Sequence, residues 1–205
     1  MPLTFPTSAN YKNGVWRVVS NAARFTSPIT RVTQAVGRIG DYWAGSIELP
    51  PLSRWEDADA VAEFSVFLAK IAGGAESFYM RPPVDQRHDV DGAPQVDGAG
   101  QAGKELKIKG LANGDILRAG SYISYETSTF RMLHMVTATL TAGGTGKVDC
   151  PIFPAIRKAP ANSAAINVLT PSCEMMIDGA GADVLTLNDV AFYGHSFGFA
   201  EAVRA

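Results

Sequence analysis

Residues 42–83 read YWAGSIELPPLSRWEDADAVAEFSVFLAKIAGGAESFYMRPP, and this stretch decides the fold. Ser53 is followed three residues later by Glu56, a capping box that predicts the start of a helix. Four apolar residues then recur at spacings of three and four and share one helical face: Val61, Phe64, Leu68 and Ile71. Gly73 and Gly74 predict the end of the helix.

The two flanks of this helix predict strands, at residues 42–49 and 76–81. Asp59, Glu63 and Lys70 lie opposite the apolar face, so we expect them to face water. Three alanines flank the apolar face and would let another surface approach closely: Ala58, Ala69 and Ala72. The stretch therefore predicts a strand–helix–strand unit in which the helix lies across a β-sheet.

Composition limits the classes of protein to consider. The chain has 205 residues, 46% of them hydrophobic, and a net charge of −2. It can bury a core, and it has no basic excess that would favour nucleic-acid binding. No apolar run reaches membrane-spanning length and no signal-peptide pattern opens the chain, so we expect neither export nor a membrane anchor. Cys150 and Cys173 occupy apolar positions of strand-like runs and are predicted to be buried free thiols, with a single bridge as the alternative.

Outside the helix, the chain predicts short strands. Two precede residue 42, at 10–20 and 28–36. Leu106 and Ile108 point inward in a strictly alternating strand at 104–109. Further strands are predicted at residues 116–118, 121–126, 130–140, 147–152, 165–169, 173–177, 183–187 and 190–203.

Residues 84–103 are rich in Asp, Gly and Pro and predict a linker. We therefore predict a mainly β protein. Residues 1–83 together with 170–205 form a β-sandwich domain that carries one α-helix, and 104–169 form an inserted small antiparallel β-barrel or sandwich.

Residues 98–103 match the dinucleotide pattern G-x-G-x-x-G. That pattern needs a strand before it and a helix after it. Here a linker precedes it and an alternating strand follows, so a turn is the better interpretation. The sequence predicts no cofactor.

Four side chains could suggest an oxygen-rich metal site: Asp85, His88, Asp89 and Asp91. Their spacing fits neither an EF-hand nor a zinc site, and a solvated acidic loop is the better interpretation. We predict no metal.

No catalytic constellation is recognisable. No nucleophile lies at a known spacing from His88, His134 or His195, and there is no G-x-S-x-G elbow. The strand-associated glutamates carry no glycosidase signature. Three tryptophans could form a sugar-binding platform, although core positions are commoner for such residues: Trp16, Trp43 and Trp55. We predict no enzyme activity and no catalytic, cofactor or metal residues, and the interface residues stay unknown.

The order of motifs resembles the distal tail proteins of long-tailed bacteriophages. The likeness rests on WAGSIELPPL (43–52), the helix with Phe64, Phe67 and Leu68, and FYMRP (78–82). It continues through Gly98–Leu106, LRAG (117–120) and FGFAE (197–201). It departs from the family at Ser121, where an acidic residue is expected.

The resemblance implies a structural virion protein that forms a hexameric ring at the distal end of the tail. The ring would join the tail tube to the tail-tip hub and would also meet the tape-measure protein. It implies assembly in the host bacterial cytoplasm and location in the virion tail. The alternatives are a carbohydrate-binding module for host surfaces, or another tail component such as a tube protein.

Overall fold

The computed structural model describes residues 2–6, 13–48, 52–53, 57–71, 76–84, 86–178, 191–192 and 196–202. The fold is mainly β, as predicted. Within the described residues one helix, α1 (Ala58–Ile71), accompanies the strands. The strands are β1 (Leu3–Thr4), β2 (Asn13–Val19), β3 (Ala23–Thr26), β4 (Thr33–Val36), β5 (Tyr42–Glu48), β6 (Leu52–Ser53), β7 (Phe78–Met80), β8 (Gln95–Val96), β9 (Gly103–Lys109), β10 (Ile116–Leu117), β11 (Tyr122–Glu126), β12 (Arg131–Val136), β13 (Leu140–Thr141), β14 (Val148–Ile156), β15 (Ile166–Asn167), β16 (Cys173–Asp178), β17 (Ala191–Phe192) and β18 (Ser196–Glu201).

The first sheet has six strands in the order β1–β7–β16–β18–β5–β2. Its pairs are antiparallel except β1 with β7, which is parallel. Strands from the two ends of the chain thus lie side by side: β18 pairs with β5 from Ser196 opposite Glu48 to Ala200 opposite Ala44. The division of the chain into domains as such remains a prediction.

Helix α1 packs on this sheet through five buried residues: Ala60, Phe64, Phe67, Leu68 and Ile71. The predicted face was right for Phe64, Leu68 and Ile71, whereas Val61 is only half-buried. Phenylalanines from the helix and from the sheet meet edge-on, as in Phe67 with Phe78 at 5.3 Å between ring centres. Burying such a side chain contributes about 1.5–3 kcal/mol, so this contact fixes the helix on the sheet.

The predicted start of the helix was wrong. Ser53 lies in β6, and the first helical hydrogen bond runs from the Val61 N–H to the Asp57 carbonyl oxygen. Aspartate is as good an N-terminal cap as serine, and Asp57 takes this position. Glu56 and the two glycines at 73–74 lie outside the described residues.

The second sheet has six strands in the order β15–β11–β12–β14–β9–β8 and is nearly closed, like a small barrel. A bridge between Gln95 and Ala165 links its two ends. Its interior is apolar, and Leu106, Ile108 and Cys150 are fully buried there, as the alternation predicted.

The stretch predicted to be a linker supplies the strand that brings this barrel close to closure. Within it, β8 pairs with β9, and Val96 is fully buried. The Val96 N–H donates to the Ala164 carbonyl oxygen at 3.0 Å. Two residues between Pro94 and Asp97 are too short to show a period, which is why composition alone suggested a spacer.

Three other predicted strands differ in the structure. The run at 190–203 is divided between β17 and β18, which belong to different sheets. The run at 28–36 is a turn over residues 28–30 followed by β4, and its partner β3 was not predicted. The run at 130–140 is divided between β12 and β13, which belong to different sheets, with Ala138 exposed between them. Residues 183–187 lie outside the described residues.

Candidate functional site

A buried group of ionisable side chains lies where the two sheets meet. Arg157, just past β14, forms an ion pair with Glu201 on β18, and their side chains are only 10% and 1% exposed. The other carboxylate oxygen of Glu201 accepts the backbone N–H of Trp43 at 3.1 Å. Cys173 on β16 lies close enough to Glu201 for their charges to interact, and its thiol donates to the Glu174 carbonyl oxygen at 3.7 Å. We call Trp43, Arg157, Cys173 and Glu201 the junction cluster.

Burial sets the protonation of this cluster. Burial raises the pKa of Glu201, and the Arg157 charge opposes that rise. Burial, reinforced by the Glu201 charge, raises the pKa of the Cys173 thiol well above its ordinary value. A thiol held in its protonated form is a poor nucleophile, so the cluster is not built for thiol chemistry. Both cysteines are free and buried, as predicted.

His134 on β12 is fully buried and neutral. Its Nδ1 lies 2.8 Å from the Pro154 carbonyl oxygen, to which it donates, so Nε2 accepts from the Tyr125 hydroxyl at 3.2 Å. Burial lowers the pKa of His134 to about 4. Both ring nitrogens are thus committed to structural hydrogen bonds.

The junction cluster and its neighbours hold the two sheets together. The Trp43 indole N–H donates to the Leu133 carbonyl oxygen at 2.9 Å, and its ring meets Tyr122 edge-on at 5.4 Å. Nearby, the Arg131 guanidinium lies 4.1 Å from the centre of the Tyr79 ring. Polar and aromatic contacts of this kind fix one sheet on the other, so the cluster is best interpreted as a structural junction.

The stretch that matches the dinucleotide pattern has a different structure from a dinucleotide-binding loop. Residues 98–103 form a turn that leads into β9, with no helix after it, so the dinucleotide geometry is missing. The Gln101 side chain pins this turn by donating to the Asp97 and Gly98 carbonyl oxygens and accepting the Lys107 N–H at 2.7 Å.

His88, one of the residues considered for a metal site, forms hydrogen bonds to the backbone through both ring nitrogens. His88 Nε2 lies 2.9 Å from the Tyr122 carbonyl oxygen, and Nδ1 accepts the Arg118 N–H at 3.1 Å. Burial lowers the pKa of His88. In the described part of the chain, no three His, Cys, Asp or Glu residues are grouped so as to hold a metal ion. Asp85 and His195 are outside the described residues.

Two tryptophans considered for sugar binding belong to the core. Trp43 is 3% exposed, and Trp16 stacks on it at 5.9 Å between ring centres. Their faces are used in packing rather than offered to solvent. Trp55 lies outside the described residues.

The surface feature that stands out is a hairpin, residues 20–40, which we call the arm. It continues the β2–β5 ribbon, contains β3 and β4, and belongs to neither six-stranded sheet. Every residue from Arg24 to Ile39 is exposed except Ser27. Five large apolar side chains are at least half exposed, the extreme being 90% at Ile29: Phe25, Ile29, Val32, Val36 and Ile39.

The arm is ordered by local hydrogen bonds. At its root the Asn21 N–H donates to the Asp41 carboxylate at 2.8 Å, and the Asn21 amide donates to the Ile39 carbonyl oxygen at 3.2 Å. At its tip the Ser27 N–H donates to the Val32 carbonyl oxygen at 3.0 Å. The sequence did not predict this hairpin, because a strand that is exposed on both faces has no hydrophobic period. The signal available in the sequence was the group of apolar residues between positions 25 and 39.

Comparison with known proteins adds no identity. A scan against models of known protein families finds none that matches the chain, and a search of curated proteins finds no match. No helix among the described residues is long and apolar enough to cross a membrane.

Proposed function

We propose that this chain is a structural virion protein that forms a ring at the distal end of a bacteriophage tail. The ring would join the tail tube to the tail-tip hub, contact the tape-measure protein and consist of six copies. The proposal includes assembly in the host bacterial cytoplasm and location in the virion tail. It assigns no catalytic activity and no cofactor. Its starting point is the order of motifs described above.

The exposed apolar surface of the arm is the structural observation that best supports the proposal. An isolated two-stranded hairpin is marginally stable in water, and five exposed apolar side chains gain nothing for a monomer. A neighbouring subunit would bury them and support the hairpin. Arm and body are different surfaces, so copies joined through them add head to tail, and head-to-tail contacts close into rings when the rotation permits.

The chemistry inside the molecule supports a structural role over a catalytic one. The groups that most resemble a catalytic set are the Cys173 thiol, the His134 imidazole and the Glu201 carboxylate. All three are buried and take part in hydrogen bonds within the fold. The two described tryptophans are likewise committed to packing. No observation favours the carbohydrate-binding alternative over the ring.

Negative-stain electron microscopy of the purified chain tests the proposal. We expect ring-shaped particles with a central hole. Long tubes would instead assign the chain to the tail tube. Isolated monomers that bind a glycan array would contradict the ring and support a host-surface binding module. The double variant Phe25→Ser/Ile29→Ser, which alters only exposed arm residues, should yield fewer rings than the wild type.

A further inference from the structure

The arm has one apolar face and one polar face, which the strand register defines. Ala23 lies opposite Val36, and Phe25 lies opposite Gln34. Because residues directly opposite each other share a face, Ala23, Phe25 and Val36 line one side of the arm. The other side carries Arg24 and the Thr26–Thr33 pair, whose hydroxyls are 3.1 Å apart.

The apolar side of the arm contains a shallow groove. Phe25, Val32 and Gln34 line this groove, together with residues of the tip turn. Phe25 and Val32 are each 58% exposed. The chain's own helix does not cover this side, because both surfaces remain open to solvent.

The arm is also strongly positive. Residues 20–40 contain Arg24, Arg31 and Arg38 but no acidic residue, which gives +3. The whole chain carries −2, so the rest of the chain carries −5, from 15 basic and 20 acidic residues. A cationic arm and an acidic body on one chain are complementary between copies. The apolar face favours a protein partner over nucleic acid.

The outer face of α1 is the part of the body that fits the arm. Its exposed apolar residues recur along one side of the helix and are mostly small, so a flat hairpin can approach closely: Ala58, Ala62, Val66 and Ala69. Val66 is 54% exposed. Asp59 and Glu63 lie beside this strip, and Lys70 is the first basic residue of the helix.

We propose that the arm of one copy docks its apolar face on the outer face of α1 in a second copy. Phe25 and Val36 would cover the alanine strip near Val66, while Arg31 and Arg38, which lie beyond the two ends of β4, face the acidic side of the helix. This inference rests on the proposed function, since it names the subunit contact of the ring. Each copy supplies one arm and receives one, so the contact repeats around the assembly.

Charge reversal on the full-length chain tests this contact. Arg31→Glu/Arg38→Glu on the arm, or Asp59→Arg/Glu63→Arg on the helix, should each raise the concentration for half-assembly by about tenfold or more. Combining both pairs in one chain should restore assembly, because each reversed arm then meets a reversed helix. The control Lys104→Glu/Arg118→Glu reverses two exposed charges, one on β9 and one just after β10, and should leave assembly unchanged.

A thiol cross-link provides a measurement that does not depend on charge. The two native cysteines are buried, so an introduced exposed cysteine reacts selectively. A chain carrying Phe25→Cys, mixed with one carrying Ala62→Cys, should give a cross-linked dimer with a short bis-maleimide. Phe25→Cys mixed with Ala138→Cys should not.

The outcomes separate this inference from the proposed function. A wild type that assembles but ignores both reversals overturns the docking contact and leaves the ring standing. Loss of assembly on arm reversal alone, without cross-linking to Ala62→Cys, places the arm on another surface and overturns the helix assignment. A wild type that never associates contradicts the ring and the docking contact together.

Discussion

Arg157 and Glu201 carry opposite charges into the contact between the two sheets. Two of the three guanidinium nitrogens, Nε and Nη1, are buried without a hydrogen-bond partner among the described residues. Such a pair contributes little net stability over an apolar replacement, but its loss on one side leaves a buried charge without compensation. The pair therefore favours the native packing of the two sheets, because another packing would bury one of the charges without its partner.

We expect Arg157→Met to lower the free energy of unfolding by about 3–5 kcal/mol, measured by urea denaturation, because Glu201 keeps its buried carboxylate without a counter-charge. Arg157→Met/Glu201→Gln should recover part of that loss, since the amide still accepts the Trp43 N–H. The control Lys147→Met breaks an exposed pair with Asp97 and should have a far smaller effect. A small loss in Arg157→Met, similar to the control, would contradict a structural role for the junction cluster.

His134 should make the protein sensitive to acid. Its pKa is lowered to about 4 in the fold from an ordinary 6.5, so the unfolded chain binds the proton more readily between these values. Stability from this group is therefore complete above pH 6.5 and falls as pH drops toward 4, by about 3 kcal/mol in all. His134→Gln keeps a donor and an acceptor but cannot titrate.

The check is urea denaturation of both proteins at pH 7 and pH 4.5. The loss on acidification should be smaller in His134→Gln than in the wild type, since the carboxyl groups common to both cancel in the comparison. Equal losses would show that His134 is not the titrating group.

At the residue scale, the sequence predicted burial better than it predicted roles. Alternation placed Leu106, Ile108 and Cys150 inside, because a half-buried strand has a period of two. The role of Glu201 could not be predicted, because its partners are 158 residues away at Trp43 and 44 residues away at Arg157. Local patterns carry no information about such contacts.

At the scale of elements, strand β5 depends on a close approach at Gly45. A Cβ atom there would lie 2.1 Å from the Val15 carbonyl oxygen and 2.8 Å from the Phe199 ring. Neither neighbour can yield easily, since one is backbone of the paired strand and the other is a core side chain.

Gly45→Ala should therefore destabilise the fold by about 1–3 kcal/mol or more, measured as the shift of the thermal or urea transition. Gly143→Ala is the matched control, because a Cβ at that loop position meets nothing within 4 Å. Equal stabilities for the two variants would contradict the tight packing of β5 between β2 and β18.

The arm should be dispensable for the fold of a single chain. Phe25→Ser/Ile29→Ser should change the unfolding free energy of the monomer by less than about 0.5 kcal/mol, because both side chains are exposed. Phe64→Ala, in the helix core, should cost about 3–5 kcal/mol. A large loss in the arm variant would show that the arm stabilises its own chain instead of a neighbour.

Elements were predictable in proportion to how much of them is buried. Helix α1 and strand β9 bury a regular face, so their periods were visible in the sequence. Strands β3 and β4 bury no side chain, and β8 has two residues, so neither gave a period. The arm, the candidate interaction site, was not predicted because its side chains are exposed, and the same exposure makes it a candidate contact surface.

At the scale of the whole molecule, two sheets are joined through buried contacts while one hairpin stays outside both cores. The junction fixes the second sheet on the first, so the body is suited to act as a rigid subunit. The arm supplies the unpaired surface. Such a division, with one surface fixed within the chain and another left for a neighbour, is the arrangement expected of an assembly component.

The most direct test is the mass of the full-length chain in solution, measured by light scattering on a size-exclusion column over a wide range of concentrations. The monomer is 21.8 kDa. The proposed ring predicts one discrete species near six times that mass, without larger species as concentration rises, because a closed ring has no free end. A mass that remains that of the monomer at every concentration would contradict the proposal that this chain assembles with itself.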